Sequence, residues 1–186
     1  MADYDLISLL YDPASYTHAS HLPEMFRHAE NRDKRVANFW LLKQGKLENL
    51  PEGWFPNDPL LSFLLAHWYR YYDAAYLLGS FLCREQLLRQ CETLVANPRL
   101  LAFISLPLCY QVTPYYAQLN KDPRAWGASF ILAHFTDLPT ALQQRIRLIL
   151  PAKISLPRLQ VPRNLDNTNL LRIAFSYAHH QERSIT

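Results

Sequence analysis

The chain has 186 residues, of which 49% are hydrophobic and 19% are charged, and these values are typical of a globular protein. Its 4 glycines leave no flexible linker between domains, and its 3 cysteines form no even set for a disulfide framework. Residues 1–137 contain 14 acids and 12 bases, whereas residues 138–186 contain 2 acids and 7 bases, so the C-terminal part carries the net positive charge. We therefore expect one domain over residues 1–186, in a reducing compartment, with a basic region that favours acidic partners.

The first predicted elements are short helices separated by proline turns. Residues 4–10 are expected to form a helix that ends before Pro13, because the residue before a proline is pushed out of the helical region. Residues 23–44 carry apolar and charged side chains at helical spacing, which predicts one or two amphipathic helices. Asp3 and Asp5 stand where a secretory signal would carry lysine or arginine, so we expect a cytoplasmic protein.

The next predicted element is a long apolar helix. Residues 46–59 are rich in proline, glycine and asparagine and are expected to form a loop, and Pro59 suits the first turn of the helix that follows. From Leu61 to Gly79 the apolar side chains follow the i, i+3, i+4, i+7 spacing, which predicts a stripe unbroken over about five turns. The pattern leaves open whether Gly79 separates this helix from the next one, over residues 84–96.

Prolines set the boundaries of the remaining predicted elements. A buried helix, a turn and a second short helix are expected within residues 98–120, where Pro107 and Pro114 argue against a membrane span. Residues 151–163 are expected to form an edge strand or an extended strap. Further helices are predicted over residues 123–134, 140–150 and 165–181. The fold is thus predicted to be mainly α, a single compact multi-helix domain with an extended basic segment, punctuated by prolines, near the C-terminus.

No pattern of residues points to catalysis, a metal or a cofactor. The histidine groups lack the further ligands that a zinc site needs, and no cysteine lies in a nucleophile motif. There is no glycine-rich loop that could hold a phosphate. The histidines are His18, His21 and His28, and the pair His179 and His180; the cysteines are Cys83, Cys91 and Cys109. We expect neither an enzyme activity nor a bound cofactor.

Two groups of side chains are candidates for binding a partner. Tyr69, Tyr71 and Tyr76 cannot all face the core of one helix, and interface contact and simple packing explain them equally well. The basic residues between 145 and 163 have no acid among them, which fits a solvated face, a protein partner or a nucleic acid. These basic residues are Arg145, Arg147, Lys153, Arg158 and Arg163.

Two short motifs remain that carry no chemistry of their own. The first is an aliphatic pair, an aromatic residue and Asp-Pro-x-x-Tyr-x-His, and its residues are Leu9, Leu10, Tyr11, Asp12, Pro13, Tyr16 and His18. The second is Ala-Tyr-Leu-Leu-Gly, and its residues are Ala75, Tyr76, Leu77, Leu78 and Gly79. In this order and at this separation they resemble the OrgA/MxiK family, also called SctK, of bacterial type III secretion apparatus proteins.

The resemblance implies a non-enzymatic adaptor at the cytoplasmic face of the bacterial inner membrane, peripheral to it and not inserted. Members of the family belong to the sorting platform of the injectisome and support effector secretion. They join the cytoplasmic domain of the SctD-type inner-membrane ring protein to the SctQ-type pod protein, which connects through SctL to the secretion ATPase. No nucleic acid is expected as a partner. The alternative is a nucleic-acid-binding helical module that uses residues 145–163.

We expect the motif residues to be structural. Asp12 and Pro13 are suited to ending a helix so that Tyr16 can dock. Ala75 and Gly79 lie one turn apart and are suited to a close contact between helices. The basic and aromatic surfaces are then expected to bind different partners.

The basic surface predicts a charge-reversal result. Changing Arg145, Arg147 and Arg158 together to glutamate is expected to abolish one interaction and to leave folding intact.

Overall fold

The computed structural model describes residues 6–27, 31–89, 94, 96–114 and 122–178. The protein is mainly helical, as predicted. Its helices are α1 Leu6–Tyr11, α2 Glu24–Arg27, α3 Asn31–Gln44, α4 Pro59–Ala66, α5 Tyr71–Leu82, α6 Arg84–Leu87, α7 Pro98–Ile104, α8 Pro123–His134, α9 Thr140–Ile149 and α10 Leu165–Tyr177, with single 3-10 turns at Pro13–Ser15, Ala19–His21 and Trp68–Arg70. Strands β1 Thr113–Pro114 and β2 Leu159–Gln160 pair antiparallel, with Thr113 opposite Gln160.

Several helices begin at a polar side chain followed by a proline. Asp58 accepts a hydrogen bond from Leu60 N at 2.8 Å, and Asp122 accepts one from Arg124 N at 2.9 Å. Asn97 accepts one from Leu100 N at 3.0 Å. Each side chain pairs an N–H group that the first helical turn leaves without an internal acceptor. The predicted helix starts at residues 59 and 123 are confirmed.

The prediction of one unbroken helix from Pro59 through Gly79 is wrong. Helix α4 ends at Ala66, a 3-10 turn follows, and α5 begins at Tyr71. A 3-10 turn has about 3.0 residues per turn rather than 3.6, so it changes which residues share a face. Gly79 does not divide a helix, because α5 continues to Leu82.

The described residues fall into two compact units. The first combines the described residues up to 69 with Asp137–Ile154 and contains α1 to α4 and α9. Its buried side chains come from several of these helices, as with Leu9, Leu41, Leu64 and Ile146, which are each at most 5% exposed. The single domain over residues 1–186 stays a prediction.

The second unit combines Arg70–Thr136 with the described residues from Ser155 onward, and contains α5 to α8, α10 and both strands. Its centre is aromatic. The Phe81 and Phe103 rings meet edge-on with centroids 5.8 Å apart, and Tyr71 and Phe175 do so at 5.9 Å. Such pairs add about 0.5–1.5 kcal/mol to the stabilisation from area burial.

The extended basic segment is confirmed. Residues 155–164 are non-helical and include β2, whose partner strand β1 precedes α8. The predicted helix over residues 84–96 is interrupted, because α6 ends at Leu87 and residues 88–89 form a turn. The last predicted helix ends at Tyr177 rather than at residue 181, because Ala178 is extended. Residues 105–114 are not helical, so the predicted second short helix does not lie there, and residues 115–121 fall outside the described residues. Among the helices that the structure describes, none combines the length and apolar character needed to cross a membrane.

Candidate protein-interaction site

The first motif forms the turn that joins α1 to the following 3-10 turn in the first unit. The Asp12 carboxylate accepts a hydrogen bond from Asn38 Nδ2 at 2.7 Å and lies 3.1 Å from Lys34 Nζ. Asn38 also accepts a hydrogen bond from Ala14 N at 2.7 Å. Hydrogen bonds to a charged group stabilise by about 1.5–3 kcal/mol each, so this turn is fastened to α3.

Tyr16 is buried beneath the turn. Its hydroxyl donates to Leu9 O at 2.7 Å, and its ring meets Trp68 edge-on with centroids 5.5 Å apart. Burial raises the pKa of the Tyr16 phenol well above its ordinary value, with Arg145 acting in the opposite direction. The phenol therefore stays protonated and serves as a fixed donor. This geometry matches the predicted helix stop that lets Tyr16 dock.

His18 and its neighbours connect the turn to the end of α9. His18 N donates to Leu148 O at 2.7 Å, and His21 Nε2 lies 2.8 Å from Leu150 O. The His18 side chain accepts from Ser20 N and so caps the 3-10 turn that follows. The first motif thus ties together α1, α3 and the end of α9, which is a structural role.

The prediction that Arg145 forms part of a partner-binding surface is wrong. The residue is 0% exposed. Its guanidinium donates to Leu10 O at 2.9 Å, to Glu48 O at 2.9 Å and to Ala141 O at 2.8 Å. Burial lowers the pKa of Arg145, against which Tyr16 acts. A helical arginine is exposed by default, and the two distant carbonyls that hold this one inside are invisible in the sequence.

Tyr71 also departs from its predicted partner-binding role. It is 1% exposed and packs against Phe175, because the 3-10 turn before α5 points it into the second unit's core. Burial raises the pKa of Tyr71 well above its ordinary value. Tyr69 is 36% exposed, with its hydroxyl 3.4 Å from Ser15 Oγ. Of the two tyrosines, only Tyr69 presents part of its ring to solvent.

The second motif makes a close contact between α5 and α8. A Cβ added at Gly79 would overlap the Pro123 carbonyl and come within 3.0 Å of Gly127 N. A Cβ added at Gly127 would overlap the Ala75 carbonyl. The two backbones therefore touch at this point, as the small residues predicted.

The motif's aromatic residue lies beside the same contact. Tyr76 and Tyr72 share one face of α5, and the Arg124 guanidinium lies over both rings, 4.7 Å and 4.6 Å from their centroids. Cation–π contacts of this kind add about 0.5–2 kcal/mol each. Tyr76 therefore helps to hold α8 on α5.

The other predicted basic residues are exposed, and they divide between the two units. Arg147 and Lys153 belong to the first unit, and Arg158 and Arg163 belong to the second. Arg163 is partly used inside its unit, because its Nε donates to His134 O at 2.9 Å, at the end of α8. Within the described part of the chain, Arg147, Lys153 and Arg158 take part in no ion pair. Of the five predicted basic residues, these three remain available to a partner.

The histidines and cysteines do not assemble into a recognisable chemical site among the described residues. No group of three or more metal-ligating side chains converges there. Burial raises the pKa of the Cys83 thiol, which makes it a poor nucleophile at neutral pH. Cys83 also borders a cleft of about 270 Å³ that includes Tyr110 and Trp126. His28, His179, His180 and Cys91 lie outside the described residues.

Asn167 was missed by the sequence analysis. It is 0% exposed, and its side chain accepts from Gln111 N at 3.0 Å and donates to Gln111 O and Pro162 O at 3.0 and 2.8 Å. It thereby joins α10 to the segments that lead to β1 and follow β2. The sequence does contain one indication of this role. Asn167 follows Asn164 by three residues, and the Asn164 side chain caps α10 by accepting a hydrogen bond from Asn167 N.

Similarity to known proteins indicates the family of the chain. One solved structure that it resembles is the cytoplasmic domain of the type III secretion sorting platform protein PscK from P. aeruginosa, with 22% identity, 96% of each chain covered and a TM-score of 0.45. No curated protein sequence matched at the level accepted as significant. The family model described as bacterial type III secretion apparatus protein (OrgA_MxiK) matches residues 6–180. The chain therefore belongs to the OrgA/MxiK family of bacterial type III secretion apparatus proteins.

Proposed function

We propose that the chain is a non-enzymatic cytoplasmic adaptor of the injectisome's sorting platform. It links the cytoplasmic domain of the SctD-type inner-membrane ring protein to the SctQ-type pod protein, and so supports effector secretion. Through SctQ it connects indirectly to SctL and the secretion ATPase. The observation that carries this proposal is the family match over residues 6–180.

The distribution of exposed side chains supports an adaptor. The first unit presents Arg147, Lys153 and part of Tyr69 to solvent, and the second presents Arg158. Aromatic side chains anchor interfaces, and exposed charges set orientation and encounter rate. Each unit therefore has residues suited to a contact of its own, within one adaptor domain.

The same geometry gives less support to the nucleic-acid alternative. Arg145 is buried and Arg163 is engaged with α8, so three of the five basic residues remain. Proteins that bind nucleic acid through phosphates commonly make about 6–10 such contacts. Titration with mixed DNA and RNA at low and high salt checks this, because counterion release makes such binding fall steeply with salt.

The test is pairwise binding by calorimetry. The full chain is titrated with the SctQ-type protein and, separately, with the cytoplasmic domain of the SctD-type protein from the same bacterium. One variant combines Arg147→Glu and Lys153→Glu, and a second carries Arg158→Glu. Arg172→Glu changes an exposed cation of α10 outside the basic segment and serves as the control.

We expect the chain to bind both proteins, and at least one reversal variant to weaken one pair by about tenfold, which corresponds to about 1.4 kcal/mol. The control is expected to bind both proteins as the unchanged chain does. Binding to neither protein contradicts the adaptor function. Binding to both that no reversal alters contradicts only the assignment of the basic residues.

A further inference from the structure

One face of α3 packs and hydrogen-bonds within the first unit. Ala37 and Leu41 are each 2% exposed, and Lys34 and Asn38 hold the carboxylate of Asp12. These four positions follow the i, i+3, i+4, i+7 spacing and so share one side of the helix. Both apolar burial and charged hydrogen bonds therefore fix the orientation of α3.

The opposite face of α3 carries apolar side chains in solvent. Val36, Phe39, Trp40 and Lys43 repeat the same spacing on the other side of the helix. Val36 is 52% exposed and Phe39 is 63% exposed, while Trp40 is half-buried against Phe26 of α2, with ring centroids 6.2 Å apart. Adjacent exposed apolar side chains on a fixed helix face are typical of a binding surface.

Exposed cations lie along α3 and just beyond its end. Arg35 and Lys43 are exposed on α3, Lys46 is exposed just beyond its end, and no acid occurs between residues 34 and 47. Across the residues that the structure describes, these three cations form no ion pair. An apolar strip flanked by unneutralised positive charge is complementary to a segment that is apolar on one side and acidic at its edges.

We propose that the outer face of α3, defined by Val36, Phe39, Trp40 and Lys43, binds an acidic amphipathic helix of a partner protein. Phe39 is the central anchor, because aromatic side chains at the middle of a patch carry most of the energy of an interface. Carboxylates of the partner pair with Lys43 at one end and set the direction of the bound helix. The inference rests on the proposed adaptor function only for the choice of natural partners.

A protein partner fits this face better than an anionic membrane does. Helices that lie in a membrane surface bury a broad apolar face along their length. Here the opposite side of α3 is already packed, and the outer face offers two strongly exposed apolar side chains. A short partner helix needs only a few anchors at i, i+3 and i+4 spacing.

The experiment measures binding of designed peptides to the full chain by fluorescence anisotropy. Peptides of about 15 residues are long enough to form a helix. One peptide carries leucines at i, i+3, i+4 and i+7 with flanking glutamates, and a second has lysines in place of the glutamates. Vesicles of phosphatidylglycerol and phosphatidylcholine form a separate arm, read by co-sedimentation.

The variants have matched controls. Phe39→Ala is paired with Phe55→Ala, because Phe55 is 67% exposed and Phe39 is 63% exposed. Lys43→Glu is paired with Arg172→Glu, which reverses an exposed cation of α10 outside both proposed surfaces. Removal of an exposed side chain leaves folding intact, which thermal unfolding of each variant verifies.

We expect the acidic peptide to bind and the basic peptide not to bind. Phe39→Ala and Lys43→Glu are each expected to weaken binding by about tenfold or more, and the two controls by less than about twofold. Failure of the chain to bind the acidic peptide, equal loss in Phe55→Ala, or vesicle binding that Phe39→Ala abolishes overturns the proposal. Titration with the SctQ-type and SctD-type proteins tests the adaptor function separately, so the failure of one is distinguishable from the failure of the other.

Discussion

Replacing Arg145 with methionine tests whether this buried cation holds the first unit together. The substitution keeps a long side chain in the site but removes every donor to Leu10 O and Glu48 O. The Ala141 oxygen keeps the helical N–H of residue 145 as a partner. The buried Leu10 carbonyl thus loses its donor at a cost of about 1–3 kcal/mol, and the part-buried Glu48 carbonyl loses a donor at a smaller cost, while removal of a desolvated charge offsets part of the loss. We expect a net destabilisation of about 3 kcal/mol.

Urea unfolding of the full chain, followed by tryptophan fluorescence, measures this change. With a denaturant slope of about 2 kcal/mol per molar urea, the midpoint falls by about 1.5 M. Arg147→Met is the matched control, because Arg147 lies two residues away on the same helix and is exposed. Its free energy of unfolding should change by no more than about 0.5 kcal/mol.

The result that refutes this reasoning is an equal midpoint for the two variants. Arg145→Glu is a harsher form of the same test, because it places a carboxylate among three carbonyl oxygens. We expect that variant not to fold, as judged by the loss of helical circular dichroism. A triple reversal that includes Arg145 therefore reports on folding and not on binding.

Three further predictions concern stability. Gly79→Ala and Gly127→Ala should each lower the free energy of unfolding by about 3 kcal/mol, because either added Cβ forces the two helices apart. The double variant should lose less than the sum of the two single losses, since the first change already separates the helices. Fully additive losses in urea unfolding would contradict this. Burial raises the pKa of Tyr16 in the folded state, so the folded state holds the phenol proton more tightly than the unfolded state does. The contribution of Tyr16 to the free energy of unfolding is therefore complete below about pH 10 and decreases as the pH rises further. Tyr16→Phe should lose about 1 kcal/mol at pH 7 and show a shallower alkaline decline, and a decline as steep as that of the unchanged chain would be the opposing result. Asn167→Leu should lower the thermal midpoint by several degrees, because the N–H and carbonyl groups of Gln111 lose the side chain that pairs with them. Asn169→Leu, at an exposed position, should leave the midpoint unchanged.

Local patterns in the sequence predicted local features of the fold. The Asp-Pro pairs at residues 58 and 122 mark helix starts, because side-chain caps and proline act within one turn of the chain. Gly79 indicated a close helix contact for the same reason, since only a residue without a Cβ permits backbones to touch. The sequence did not indicate that α8 is the helix in contact with Gly79, or that Gly127 is the matching glycine on it.

Features that depend on distant residues could not be predicted. Arg145 carries a charge on an amphipathic helix, which normally indicates exposure, and its acceptors lie 135 and 97 residues away in the sequence. The break after Ala66 was hidden because Trp68 and Tyr71 are both buried, so the apolar pattern continues through the 3-10 turn. The candidate site was therefore predicted by residue type, and long-range hydrogen bonds decided which of its members reach solvent.

The contact between Gly79 and Gly127 limits how mutations in this protein can compensate for each other. An oversized side chain is usually accommodated when a neighbouring side chain becomes smaller, but here each added Cβ would meet a backbone carbonyl, of Pro123 or of Ala75. No side-chain replacement at the contact can restore the lost space. Second-site suppressors of a substitution at either glycine must therefore lie where a whole helix can be moved, in the turns and caps that join α5 and α8 to the chain.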